Sequence, residues 1–183
     1  IIAYYTGNGE TIKQYPIEKL THIIYSFLRL KNDTLDFRDD KQKKNLQQLV
    51  GLKKQFPQLK IMVSIGGWGG CAPCSDLFAL EGHRNTFAKT TVALFKEYGI
   101  DGLDLDWEYP VIEGFPGHKY AAADKDNFTK LVMALRKEMG NEFILSFAAG
   151  GFTSFLEQSI DWDAVMPHLD FVNLMTYDLV SGF

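Results

Sequence analysis

Two kinds of hydrophobic pattern alternate along this sequence. Short apolar runs rich in β-branched and aromatic residues occupy 1–6, 22–30, 60–65, 102–108, 143–148 and 171–177. Several are apolar over most of their length, as expected of parallel strands covered on the outside. Between them lie longer stretches in which apolar residues recur every three or four positions. In 41–56, Leu46, Leu49, Val50, Lys53 and Phe56 fall near one face. In 81–98 the stripe is Phe87, Thr91, Leu94, Phe95 and Tyr98. In 124–139 it is Phe128, Leu131, Val132, Leu135 and Met139, a close match to a helical period. Gly99 and Gly140 follow the last two stretches, where helix stops belong, and each leads straight into a strand.

This alternation predicts a parallel α/β fold with right-handed crossovers. An open doubly wound sheet and a (β/α)8 barrel both satisfy it. Nucleotide binding, the usual task of the open sheet, needs a glycine-rich phosphate loop after a strand. Gly66-Gly67-Trp68-Gly69-Gly70 is rich in glycine but lacks the required spacing, and a bulky Trp stands where backbone should approach a phosphate. The longest irregular stretch, 109–123, follows the fourth strand, at the end of a parallel fold that carries the chemistry.

Composition narrows the classes further. With 183 residues, 46% of them hydrophobic and 23% charged, the chain has enough apolar material for a real core. Nineteen basic against 23 acidic residues give a net charge of −4, which leaves no electrostatic footprint for nucleic acid. No apolar run approaches the roughly 18–20 residues of a membrane helix, so no membrane insertion is expected. Two cysteines exclude a disulfide scaffold and a four-thiolate zinc site. The sequence begins directly in a strand pattern, so any secretory signal is expected to have been removed already.

The most informative segment runs Asp101-Gly102-Leu103-Asp104-Leu105-Asp106-Trp107-Glu108-Tyr109-Pro110. From residue 103 it alternates strictly. Leu103, Leu105 and Trp107 take one face of a strand; Asp104, Asp106 and Glu108 take the other. In a barrel the apolar set packs under the helices and the acids point inward, in a row rising to the C-terminal mouth. Their spacing is about 6.6 Å along the strand, and ionising all three in an interior would cost too much. At least one should keep its proton near neutral pH. Glu108, the last and longest, is the candidate proton donor. Two other readings of these acids stay open. A solvated outer strand face would deprive the helices of a partner. A divalent-metal site would need a further ligand from a distant strand.

The segment closely resembles the DxxDxDxE signature of family 18 glycoside hydrolases, the chitinases and their relatives. Ser64-Ile65-Gly66-Gly67 resembles the SxGG motif that ends their third strand, and Met175-Thr176-Tyr177-Asp178 the MTYD motif that ends their sixth. The resemblance implies a (β/α)8 TIM-barrel type of α/β fold, with about six βα units in residues 1–183. On that reading the sequence is an incomplete family 18 catalytic domain lacking the last two units. It also implies a retaining, substrate-assisted hydrolysis of β-1,4-linked N-acetylglucosamine, in which the substrate's own acetamido oxygen replaces an enzyme nucleophile. Glu108 would be the general acid and base. Asp106 would orient the acetamido group, Asp104 would share a proton with Asp106, and Tyr177 would donate to the acetamido carbonyl. Tyr4 and Ser64 would bond to the aspartates from below. Asp178 would contact the distorted sugar and Met175 would line the floor. Phe27, Gly67, Trp68 and Tyr109 would border the sugar sites, with Phe115 and Tyr120 adding stacking surface. Asp101 breaks the alternation and is expected to support the strand entrance.

No metal or organic cofactor is implied. The implied partner is chitin or a chito-oligosaccharide, and the implied location is outside the cytoplasm. There a disulfide between Cys71 and Cys74 would stiffen the loop after Trp68. The ending Asp-Trp-Glu-Tyr-Pro resembles a chitinase more than an endo-β-N-acetylglucosaminidase acting on N-glycans. A non-catalytic chitin-binding lectin of the same fold is the other alternative, and retention of Glu108 weighs against it. Six strands leave two sheet edges open, so a second chain or copy completing the barrel is a further expectation.

Overall fold

The computed structural model describes residues 1–178. Strand β1 (Ile2–Tyr5) leads through two 3₁₀ turns, Thr11–Gln14 and Ile17–Lys19, to β2 (His22–Lys31). A hairpin strand β3 (Thr34–Asp36) then precedes helix α1 (Asp40–Gly51). Strand β4 (Lys60–Gly66) is followed by the short α2 (Cys74–Phe78) and the long α3 (Glu81–Tyr98). Strand β5 (Gly102–Asp106), helix α4 (Asp124–Met139) and strand β6 (Ile144–Gly150) come next. A π-helical turn at Phe155–Ser159, helix α5 (Trp162–Val165) and strand β7 (Phe171–Met175) complete the described residues.

Six strands form one parallel sheet in the order β1-β2-β4-β5-β6-β7, with β3 antiparallel on β2. The sheet is curled. Phe171 at the start of β7 meets the ring of His22 at the start of β2, centroids 5.6 Å apart. Four strand spacings separate those strands, about 19 Å in a flat sheet. Tyr4 on β1 likewise reaches Asp104 on β5 by a direct hydrogen bond. This curvature is that of a partial (β/α)8 barrel, and it excludes the open doubly wound alternative.

The helices cover the outer face with aromatic residues. Trp107 packs on Phe78 and Phe128, with ring centroids 5.9 and 6.3 Å away, and Phe95 packs on Phe143. Phe78, Phe87, Phe95 and Phe128 are all buried, each stabilising the layer by about 2–3 kcal/mol. Leu103 and Leu105 are buried on the same side.

Three elements differ from the sequence expectation. No α-helix joins β1 to β2 among the described residues; Gly7, Gly9 and Pro16 leave only 3₁₀ turns there. The hairpin to β3 was not anticipated, although Asn32-Asp33, with Asn32 at φ 54°, is a two-residue turn signal. Strand β5 stops at Asp106 rather than 108, at the level where its pairing with β4 ends at Gly66. Gly66 has φ 100°, and a side chain there would collide with the Asp106 carbonyl. The Gly67 N–H instead donates to that carbonyl at 2.9 Å. No helix among the described residues is long and apolar enough to cross a membrane.

Candidate active site

Asp104 is the hub of the interior. It is fully buried and sits in register between Ser64 on β4 and Ser146 on β6. Its Oδ2 accepts from the Tyr4 hydroxyl at 2.9 Å and the Ser64 hydroxyl at 3.0 Å. Its Oδ1 accepts from the Ser146 hydroxyl at 2.7 Å and from Asn173 Nδ2 at 3.1 Å. Four strands therefore converge on one carboxyl group. Burial raises its pKa, and these four bonds oppose the rise.

Asp106 stands two residues higher, also buried, with Oδ1 lacking any protein hydrogen-bond partner. Burial, then the charge of Glu108, then that of Asp104 push its pKa up to about 8. Glu108 follows at the mouth, half-buried. Burial raises its pKa, the Tyr109 hydroxyl opposes this, and Asp178 adds to it. Burial and then the charges of Asp106, Glu108, Asp178 and Asp104 also raise Tyr177. The end of β7 thus lies within the field of the acids. Both oxygens of Asp104 are occupied by hydroxyl and amide donors, a poor arrangement for a metal ligand. No group of His, Cys, Asp or Glu side chains that could hold a metal ion occurs among the described residues.

The other candidates divide into two groups. Half-buried Phe27 lies against Gly67, where an added methyl group would meet its ring at 2.7 Å. Trp68 is 60% exposed and packs edge-on against Phe115, centroids 5.7 Å apart. Tyr109 sits between Phe152 and Phe155, Met175 is half-buried at the end of β7, and Tyr177 and Asp178 are exposed at the mouth. Asp101 lies apart, at the opposite end of β5. It accepts from the Ile61 N–H and from Lys53 Nζ at 2.8 and 2.9 Å, which ties the strand entrance to the end of the α1 segment. Cys71 and Cys74 form a disulfide in the loop after Trp68.

The family model for glycosyl hydrolases family 18 matches residues 1–182. The chain belongs to this family. It is 32% identical over 171 residues to chitotriosidase-1 of Mus musculus, covering 88% of this chain and 36% of that protein. The chitinase domain of the spore coat protein CotE from Clostridium difficile aligns with a TM-score of 0.88 at 32% identity, over 97% of this chain and 50% of that one. The Ostrinia furnacalis group IV chitinase in complex with allosamidin aligns with a TM-score of 0.85 at 31% identity, over 97% and 51% of the two chains. The family 18 chain thus spans about a third of its curated relative and half of these solved domains.

Two donors to Asp104 escaped the sequence reading, Ser146 and Asn173. Each carries a readable signal, a single polar residue inside an apolar strand: Leu145-Ser146-Phe147 and Val172-Asn173-Leu174. Ser64 in Val63-Ser64-Ile65 carries the same one. What each polar residue bonds to depends on register, and a one-residue slip would turn it to the helix layer.

The raised Asp106 gives a prediction for stability. A carboxyl held at about 8 binds its proton more tightly in the folded state than in the unfolded chain. Its contribution is fully present below about pH 4 and is lost as pH rises through 8, at up to about 1.4 kcal/mol per pH unit. Asp106→Asn removes that loss. Urea unfolding should show the variant gaining a few kcal/mol relative to the parent between pH 4 and pH 9. A pH-independent difference would refute the placement of the proton on Asp106.

Proposed function

We propose that this family 18 chain carries the acid–base machinery of a chitinase. It hydrolyses β-1,4-linked N-acetylglucosamine polymers or oligomers with retention of configuration. The observation that carries the reading is the graded row of acids along β5 and just past its end: Asp104 saturated by four donors, Asp106 with a bare oxygen, and Glu108 at the mouth. The names of the relatives supply the substrate class.

Glu108 gives its proton to the glycosidic oxygen as the bond from that oxygen to the anomeric carbon breaks. The substrate's acetamido oxygen bonds to the same carbon, forming a cyclic oxazolinium ion. As the ion forms, Asp106 passes its proton to Asp104, and the carboxylate left behind accepts from the acetamido N–H through its bare Oδ1 and balances the positive charge. Asp104 takes part in the proton held by Asp106, a coupled pair. Tyr177 donates to the acetamido carbonyl, and Asp178 contacts the distorted sugar. Glu108, now a carboxylate, takes a proton from water as the water oxygen bonds to the anomeric carbon; the bond from that carbon to the acetamido oxygen breaks, which restores the acetamido group. Phe27, Trp68 and Tyr109 offer ring faces to the sugars. A polymeric substrate and the Cys71–Cys74 disulfide fit work outside the cytoplasm. Barrel closure calls for two further βα units along the edges of β1 and β7, on the same chain or a second one.

The test is cleavage of an N-acetylglucosamine hexamer by the protein carrying this chain. Mass spectrometry reads the product lengths, and proton NMR reads the anomer formed first. Initial β-anomer supports retention. Initial α-anomer would sink the substrate-assisted route, and no cleavage would sink the hydrolase.

A further inference from the structure

The long loop after Glu108, residues 109–123, carries no regular secondary structure yet follows a defined path. Gly114 packs so closely on the Glu108 carbonyl that a side chain there would collide with it. Val111 has φ 72°, in the left-handed region that a β-branched residue rarely adopts. Such a conformation persists only where the surroundings over-determine it.

The surroundings converge on Asp124, the first residue of α4 and only 1% exposed. Its Oδ2 accepts from the Ala121 N–H at 2.7 Å and faces the Val111 N–H at 3.5 Å. Its Oδ1 accepts from the Ser75 hydroxyl of α2 at 2.8 Å. One carboxylate therefore holds both ends of the loop. It also ties the loop to the helix that follows the Trp68 segment and its disulfide. The Lys119–Asp76 ion pair repeats that connection at the surface, where it adds little.

We propose that Asp124 is a positioning residue for Glu108: its carboxylate fixes the 109–123 loop against α2 and so sets where the Glu108 carboxyl stands. It lies too deep to touch substrate. The inference rests on the proposed hydrolase reading only for its effect on rate, not for its effect on the loop.

Two substitutions separate reach from charge. Asp124→Asn keeps the length. Its Oδ1 can turn to the loop N–H groups while its Nδ2 donates to the Ser75 hydroxyl oxygen. Asp124→Glu keeps the charge but adds a methylene where there is no room. The readouts are amide exchange over 109–123 and kcat and KM on the hexamer. Positioning predicts that Asn keeps kcat within about threefold, while Glu lowers it by about tenfold or more, since misplacement of order 1 Å can cost about a hundredfold. KM should move by less than about threefold in both, because the contacts to substrate are untouched. Loop exchange should quicken by about tenfold or more in the Glu variant alone. Should the Glu variant not fold, Asp124→Ser, too short to bridge, carries the same expectation.

A Glu variant at parental rate would overturn the proposal, as would an Asn variant slowed tenfold. A rate loss without faster loop exchange would also overturn it. Exchange reads the loop even if the parent protein leaves the hexamer intact. Failure of the hydrolase reading and failure of this one are therefore distinguishable.

Discussion

Glu108→Gln should lower kcat on a chito-oligosaccharide by about a hundred- to ten-thousandfold, with sugar affinity held within about threefold. The amide keeps the shape and the polarity of the side chain but has no acidic proton to give. Glu108 is half-buried at the mouth, and burial, opposed by the Tyr109 hydroxyl, raises its pKa above the usual carboxylate range. A larger fraction therefore carries the proton near neutral pH than an exposed glutamate would hold. In the proposed mechanism, replacing it removes the proton donor of the first step and the base of the second. Binding should survive, because the walls and floor of the site are unaltered. Steady-state cleavage of the hexamer, with calorimetric titration of the same sugar, measures both quantities. A rate near that of the parent would remove Glu108 from its role. Parallel loss of rate and affinity would point to a fold defect instead.

Asp104→Ala should destabilise the fold by about 3 kcal/mol, visible as a fall in Tm of about 6–12 °C. The reason lies in what is left behind. Tyr4, Ser64, Ser146 and Asn173 all donate to this one group, and the two serines are fully buried. Each stranded donor costs about 1–3 kcal/mol unless water enters to serve it. Asp104→Asn keeps an acceptor oxygen, and its amide can donate to a rotated hydroxyl, so it should lose less than half as much. Thermal unfolding followed by circular dichroism decides the matter. Equal losses in the two variants would mean that the donors are not what holds the interior together.

Much of this architecture is written in local pattern. The stripe Phe128, Leu131, Val132, Leu135 and Met139 marks α4 to the residue, and all five side chains are buried. The alternation from Leu103 to Glu108 determines which side chains of that strand face the helices, because successive residues on a strand point to opposite faces. Residue order along one strand also determines that the acids form a row and that Glu108 is the outermost.

Local pattern did not decide which groups meet Asp104: the family resemblance points to Tyr4 and Ser64, and Ser146 and Asn173 come only with the tertiary structure. These donors lie 100, 40, 42 and 69 residues away, and only the curl and register of the sheet bring them together. Burial, with Glu108 above and Asp104 below, pushes Asp106 up to about 8. The alternation by itself makes the three acids alike except in length and position. Asp124 is a similar case. In the sequence it is one more acid in the first turn of a helix. Its role depends on Ser75, 49 residues earlier, and on a loop path that no local periodicity encodes. Periodicity reports which face of an element is buried; the partners of a buried polar group are settled by packing between elements.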